Sequence, residues 1–144
     1  DGQQFEKAVD EQTFQLSAAY RARLQYGFEI QSGVTANATR NWNGEWSKTT
    51  FGTALFQDLD YRLERVGMLF RARLVLFDAQ NWNNRIYLYE ANISESSYSP
   101  VLYGKALRWY FIYKYAAKCG LGLQVKVGQT VYEGKESIGS GMTR

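Results

Sequence analysis

Asp58 and Asp60 stand two residues apart, a spacing that puts both carboxylates on one face of a strand, and paired carboxylates are a frequent apparatus of acid and base catalysis. Arg71 and Arg73 offer guanidinium partners at the same two-residue spacing, however, and carboxylates beside arginines form ion pairs more readily than proton-transfer sites. Other chemistry is absent. The chain has no histidine and no serine in a Gly-x-Ser-x-Gly setting, so hydrolase chemistry has no support. Cys119 is the single cysteine, which excludes an internal disulfide and leaves no sensible zinc or haem set. Ile138-Gly139-Ser140-Gly141 is not followed by Lys and a helix, so it is no phosphate cradle. The expectation is a protein that is not an enzyme and holds no metal or cofactor.

What remains is electrostatic. Arg21, Arg23, Arg62, Arg71, Arg73, Arg108, Lys114 and Lys126 fall on the polar face of an alternating pattern with only Glu29, Asp58 and Asp60 beside them. Lining a water-filled interior, that excess of cations would favour anions. Alternatively the charges pair across neighbouring strands, Asp58 and Asp60 with Arg71 and Arg73, and fill a narrow lumen as a ladder.

The elements that carry these side chains are strands. In 121–131 the apolar Leu121, Leu123, Val125, Val127 and Val131 alternate with Gly122, Gln124, Lys126, Gly128 and Thr130, and in 107–115 Leu107, Trp109, Phe111, Tyr113 and Tyr115 oppose Arg108, Tyr110 and Lys114. Together they predict a long hairpin turning at 117–120. Upstream, Asp10-Glu11 reads as a turn, and Phe14, Leu16, Ala18, Tyr20, Ala22 and Leu24 then alternate with polar residues up to the break at Tyr26-Gly27. Phe28, Ile30, Val34, Ala36 and Ala38 follow, closing at Asn43-Gly44, a dipeptide suited to hairpin turns. Two further runs, Phe51 to Leu63 and Met68 to Leu76, flank Glu64-Arg65-Val66-Gly67, with Gln57 as the one polar intruder on the apolar face. Residues 79–103 are mixed and predict a long external loop with short strands, and 133–144 a flexible tail.

No segment keeps apolar residues at helical spacing for more than about two turns, so the fold class is all-β and antiparallel. The chain has 144 residues, 45% apolar and 16% aromatic, with a net charge of +3: one domain or part of one. No apolar run reaches the roughly 18 residues of a membrane helix, and Asp1-Gly2-Gln3-Gln4 is not a signal peptide. The strands are nevertheless long enough for the about 9–11 residues that cross a bilayer as a tilted β-strand.

Alternation does not say which face meets water. A soluble lipocalin-like barrel turns its apolar face inward around an apolar ligand; an outer-membrane barrel turns it to lipid. Aromatic placement favours lipid. Phe28, Tyr61, Tyr113 and Tyr115 lie near the short turns, and Trp42, Trp46, Phe51, Trp82, Tyr103 and Tyr132 near the longer loops, as two interfacial girdles would. With short turns on one side and loops on the other, about six strands cross, fewer than the roughly eight of the smallest such barrels, so an incomplete segment of a larger up-and-down transmembrane barrel is expected.

Phe56-Gln57-Asp58-Leu59-Asp60-Tyr61-Arg62, Arg71-Ala72-Arg73-Leu74-Val75-Leu76-Phe77-Asp78, Asn84-Arg85-Ile86-Tyr87-Leu88-Tyr89-Glu90, Tyr103-Gly104-Lys105, Arg108-Trp109-Tyr110 and Gln129-Thr130-Val131-Tyr132 through Ser137-Ile138-Gly139-Ser140-Gly141 form an ordered series. The series resembles the C-terminal β-barrel region of a family of Gram-negative outer-membrane proteins, many of which carry a competence-type helix-hairpin-helix region ahead of the barrel. The likeness covers Leu55 to Gly141. It implies an outer-membrane location and a barrel fold more than an activity. Similar sequences tend to have Asn-Asp where this chain has Ala91-Asn92, and they continue past the Ile-Gly-Ser-Gly segment into an acidic loop and a last strand where this chain has Met142-Thr143-Arg144. The helix-hairpin-helix region has no counterpart here, so its DNA-binding role is not carried over.

The reading is an outer-membrane β-barrel segment acting as a pore, transport or structural component of an envelope assembly, without catalysis. Its expected partners are the lipid bilayer and other envelope proteins or a chain completing the barrel. A soluble lipocalin-like barrel is the alternative. A nucleic-acid-binding barrel is disfavoured because the cations and most aromatics lie on opposite faces, which separates stacking from phosphate contact.

Overall fold

The computed structural model describes residues 10–42, 48–93 and 98–134. In chain order the strands are β1 (Asp10–Arg23), β2 (Phe28–Trp42), β3 (Lys48–Leu63), β4 (Met68–Ala79), β5 (Ile86–Tyr87), β6 (Val101–Leu102), β7 (Gly104–Ala116) and β8 (Gly122–Tyr132). Six of them form one antiparallel sheet in the order β1-β2-β3-β4-β7-β8, while β5 and β6 pair with each other inside the connection from β4 to β7. The fold is therefore an all-β antiparallel meander. Its edges, β1 and β8, do not pair with each other among the described residues, so the sheet stays open.

The period-two pattern sets the register. Leu55 lies opposite Val34 on one side and Leu76 on the other, and Asp60 lies between Glu29 and Arg71, so that side chains of one phase share one face of the sheet. At one end the strands join through tight turns, at Gln25–Gly27 and Glu64–Val66. Tyr26 and Gly27 both have positive φ, 62° and 83°, and a Cβ on Gly27 would lie 2.2 Å from the Arg62 carbonyl oxygen. Only glycine turns the chain there without striking the next strand.

Asp10 and Glu11 do not make the expected turn. They open β1, opposite Trp42 and Asn41 of β2. The neighbouring strand continues far enough to offer backbone partners, and ladder hydrogen bonds outweigh the weak turn preference of two acidic residues. The expected turn at Asn43-Gly44, Trp46 and most of the tail, 135–144, lie outside the described residues.

The described parts of the connection, 80–93 and 98–103, turn back over the sheet. A short 3-10 turn at Trp82–Asn84 is closed by a reciprocal Asn81–Asn84 cap, β5 and β6 follow as a two-residue ladder, and Glu90 bridges Tyr98. Ile86, Leu88 and Leu102 pack with Ala54, Val75, Phe77 and Ala106 into one buried cluster, and Ala91 packs with Tyr110 and Ile112 into a second. Ala54, Val75, Phe77, Ala79, Ala106 and Ile112, sheet residues whose phase matches the charged positions, thus lie buried on the side of this segment. The buried core lies on the polar face of the sheet.

Candidate functional site: the charged face and its covering segment

Strand alternation alone places the charges. Asp58 and Asp60 of β3 stand opposite Arg73 and Arg71 of β4, and the side chains meet as the ladder predicts. Arg71 Nε donates to Asp60 Oδ1 at 2.7 Å, and Arg73 grips Asp58 through Nε and Nη2. Two-pronged guanidinium–carboxylate contacts of this kind fix both partners in one plane. The Arg73 guanidinium also lies 5.0 Å from the centre of the Phe56 ring and donates to the Tyr89 carbonyl of the covering segment.

The covering segment adds an anion absent from the expected set. Glu90, only 1% exposed, takes Arg108 through both carboxylate oxygens and has Lys126 Nζ 3.7 Å away. Arg108 is held from the other side by Thr130 Oγ1 at 2.8 Å, and Lys126 donates to the Ala91 carbonyl at 2.8 Å and lies over the Tyr110 ring at 4.8 Å. Tyr110 Oη accepts from the Ala91 amide at 3.3 Å, and Lys114 donates to the Ile93 carbonyl at 3.1 Å. A carboxylate this buried is stable only with such compensation. The segment is thus anchored from β4 to β8.

At its other end the segment is held by amides. Asn37 Nδ2 of β2 donates to the carbonyls of Asn84 and Arg85 at 2.9 and 3.0 Å, Thr39 Oγ1 donates to Asn83, and Asn84 donates to the Phe51 carbonyl. The approach is close enough that a Cβ on Gly52 would stand 2.4 Å from the Asn84 carbonyl oxygen and from Asn37 Oδ1. Here glycine makes room for the segment.

Arg21, Arg23 and Glu29 remain in the open. Arg23 Nε meets Glu29 Oε2 at 3.1 Å and Arg21 Nε meets Glu29 Oε1 at 3.3 Å, while Arg21 Nη2 also donates to Gln31 at 2.8 Å. Exposed pairs such as these contribute about 0–1 kcal/mol. Arg62 shares the face and is exposed, with no ion pair among the described residues. All eleven charged residues singled out by alternation therefore sit on the same side of the sheet.

The apolar side is bare. Leu16, Leu55, Leu59, Val125 and Val127 are between 42% and 75% exposed. Near the tight turns Phe28, Tyr61, Phe70 and Tyr113 occupy one row across four strands, with ring centres 4.1, 6.3 and 5.0 Å apart in succession. Tyr115 continues on β7 opposite Met68. At the loop end Phe51 is exposed on this side, whereas Trp82 and Tyr103 meet edge to face at 5.5 Å within the connection. Tyr132 lies on the charged face against Phe77, because its register partner is Ala106. Trp42 ends β2, and its side chain lies outside the described ones. No family model, curated protein or solved structure matches this chain.

Glu90, Tyr110, Asn37 and Asn84 escape sequence reasoning. A signal was present: Val75, Phe77 and Ile112 put apolar bulk at polar-phase positions, which on a water-lined face requires something to pack against them.

Proposed function

We propose that this chain forms part of the wall of a β-barrel in the outer membrane of a Gram-negative bacterium, with its apolar face against lipid. It acts there as a pore, transport or structural component of an envelope assembly and performs no catalysis. One observation carries the reading: burial is inverted. Apolar side chains of all six strands, among them Leu16, Val34, Leu55, Leu74, Phe111 and Val127, stand exposed on one face, while the face that bears eleven charged residues is the one covered, by the chain's own segment with Glu90 beneath it. A water-soluble sheet gains stability by burying the opposite face. A bilayer reverses the preference, because hydrocarbon accepts Leu and Val and rejects Arg.

Three features support it. The strands are 11 to 16 residues long, at or above the about 9–11 needed to cross hydrocarbon. The Phe28–Tyr61–Phe70–Tyr113 row lies near one end of the strands, where an interfacial aromatic girdle belongs. The likeness of Leu55 to Gly141 to the barrel region of outer-membrane proteins agrees with this location. Unpaired backbone groups on β1 and β8 would each cost several kcal/mol in hydrocarbon, so further strands pair with both edges in the membrane.

A soluble lipocalin-like barrel would gather the same leucines and valines around a ligand, which the exposed apolar face speaks against. Solubility decides between them. The protein is expected to need detergent for monodispersity and to migrate faster on a denaturing gel unheated than boiled; a monodisperse chain in plain buffer with no heat effect refutes the membrane reading.

A further inference from the structure

We infer that an aqueous passage remains along β1 and the turn-end half of β2, beside the covering segment, and that it admits small anions through Arg21, Arg23 and Arg62. The inference rests on the membrane reading above, which makes the charged face the inner wall.

Coverage of that wall is uneven. The segment lies on β2 at the loop end, where Thr35, Asn37 and Thr39 are buried, and then crosses towards β7 and β8, where Glu90, Ala91 and Ile93 meet Arg108, Lys126 and Lys114. Everything on the polar face of β1 stays exposed from Thr13 to Arg23. Most of the uncovered lane is hydrophilic: Thr13 pairs with Thr39 and Ser17 with Thr35, each at 3.0 Å, and Arg21 reaches Gln31, with Ala19, opposite Gly33, as the one apolar side chain of β1 between them. A cavity of about 290 Å³ opens from this lane between Arg21, Glu29 and Gln31 on the wall and Leu88 and Tyr89 on the segment, with the matched pairs Asp58–Arg73 and Asp60–Arg71 along its floor. Hydroxyl and amide side chains that already bond to each other offer a wetted surface without a fixed charge. A solute moving along them meets net charge only at the turn end.

The charge balance explains the sign. Asp58 and Asp60 are spent on Arg73 and Arg71, and Glu90 on Arg108 and Lys126. Arg73 and Glu90 are largely withdrawn from water, at 9% and 1%, whereas Arg71 and Asp60 keep 32% and 20% exposure but neutralise each other. At the turn end of β1–β3, by contrast, Arg21 and Arg23 share Glu29, the one carboxylate among the described polar-face side chains there that is not already matched one to one, and Arg62 stands on the same face with no ion pair among the described residues. Arg21 and Arg23 remain 56% and 82% exposed at the side chain even while both touch it. The accessible surplus is positive. A low-dielectric wall concentrates the field of such a surplus in the lane, which raises the local concentration of anions and repels cations. Guanidinium groups suit chloride and oxyanions alike, since they are weakly hydrated and present paired donors.

Reversal potentials across planar bilayers in a potassium chloride gradient test this with the full chain and whatever strands complete its wall. The expected chloride-to-potassium permeability ratio is several-fold above one, falling towards one in R21Q/R23Q/R62Q and recovering in R21K/R23K/R62K, which restores charge without the fork. Inorganic phosphate added to one side is expected to lower the chloride current in the parent and not in the glutamine variant. Quenching of tryptophan by lipid-borne bromine, measured on the same preparations, separates the two readings. Quenching without conductance, or conductance whose ratio the glutamine substitutions leave unchanged, overturns the inference alone. Absence of quenching overturns the membrane reading and the inference with it.

Discussion

Replacing Leu59 by Arg separates the two environments available to the bare face. Leu59 lies between Ile30 and Ala72 in a row that continues to Phe111 and Val127, so no carboxylate or amide in its own row can receive an arginine there. It is 43% exposed. In water the substitution removes part of one Leu burial, about 1.5–3 kcal/mol if complete, and the arginine stem replaces much of that contact, so the net loss is under about 1 kcal/mol. In hydrocarbon the same arginine costs about 2–4 kcal/mol near the midplane, less towards the interface. The readout is the urea midpoint of tryptophan fluorescence for protein folded into phospholipid vesicles, with Gln15→Arg, on the polar face of β1, as the control expected to shift little. A loss of about 2 kcal/mol or more for Leu59→Arg with a silent control agrees with lipid contact. Equal, small effects for both substitutions would refute the orientation.

The covering segment supplies the other predictions. Glu90→Gln leaves Arg108 and Lys126 buried without their carboxylate, at a cost of about 3–5 kcal/mol, and protease cleavage within 80–103 is expected to become faster in that variant. Gly52→Val drives a side chain into the Asn84 carbonyl, and its effect of about 1–3 kcal/mol is expected in hydrogen exchange of the segment rather than in the β7–β8 ladder. Tyr110→Phe removes the acceptor of the Ala91 amide and destabilises by about 1–3 kcal/mol, measured by the same urea titration. Coupling between Asp58 and Arg73 in a double-mutant cycle is expected to exceed that between Arg23 and Glu29 and to resist salt, since the first pair is largely withdrawn from water.

The sheet was legible because strand alternation is sustained with few exceptions: six runs, their faces and their hairpin partners follow from it. Gln57 on the apolar face is explained by Ser32, whose hydroxyl donates to it at 2.6 Å from the neighbouring strand. The segment at 80–103 was legible as a long connection but not in direction. Its path depends on contacts between residues far apart in sequence, Asn37 with Asn84 and Glu90 with Arg108, which no local pattern encodes. Tyr132 shows a similar limit, since proximity to a loop does not specify a face whereas register with Ala106 does. Asp10 and Glu11 illustrate a local preference overruled by a longer partner strand.

Trp109 sits mid-strand on the apolar face of β7, opposite Leu74 and Gln129, and gives the most direct test of which solvent that face meets. A variant retaining it as the single tryptophan, with Trp42, Trp46 and Trp82 replaced by Phe, is reconstituted with lipids brominated at successive acyl depths. Strong quenching that peaks at a deep label is predicted. Fluorescence indifferent to brominated lipid but quenched by aqueous iodide would place the apolar face in water and contradict the account.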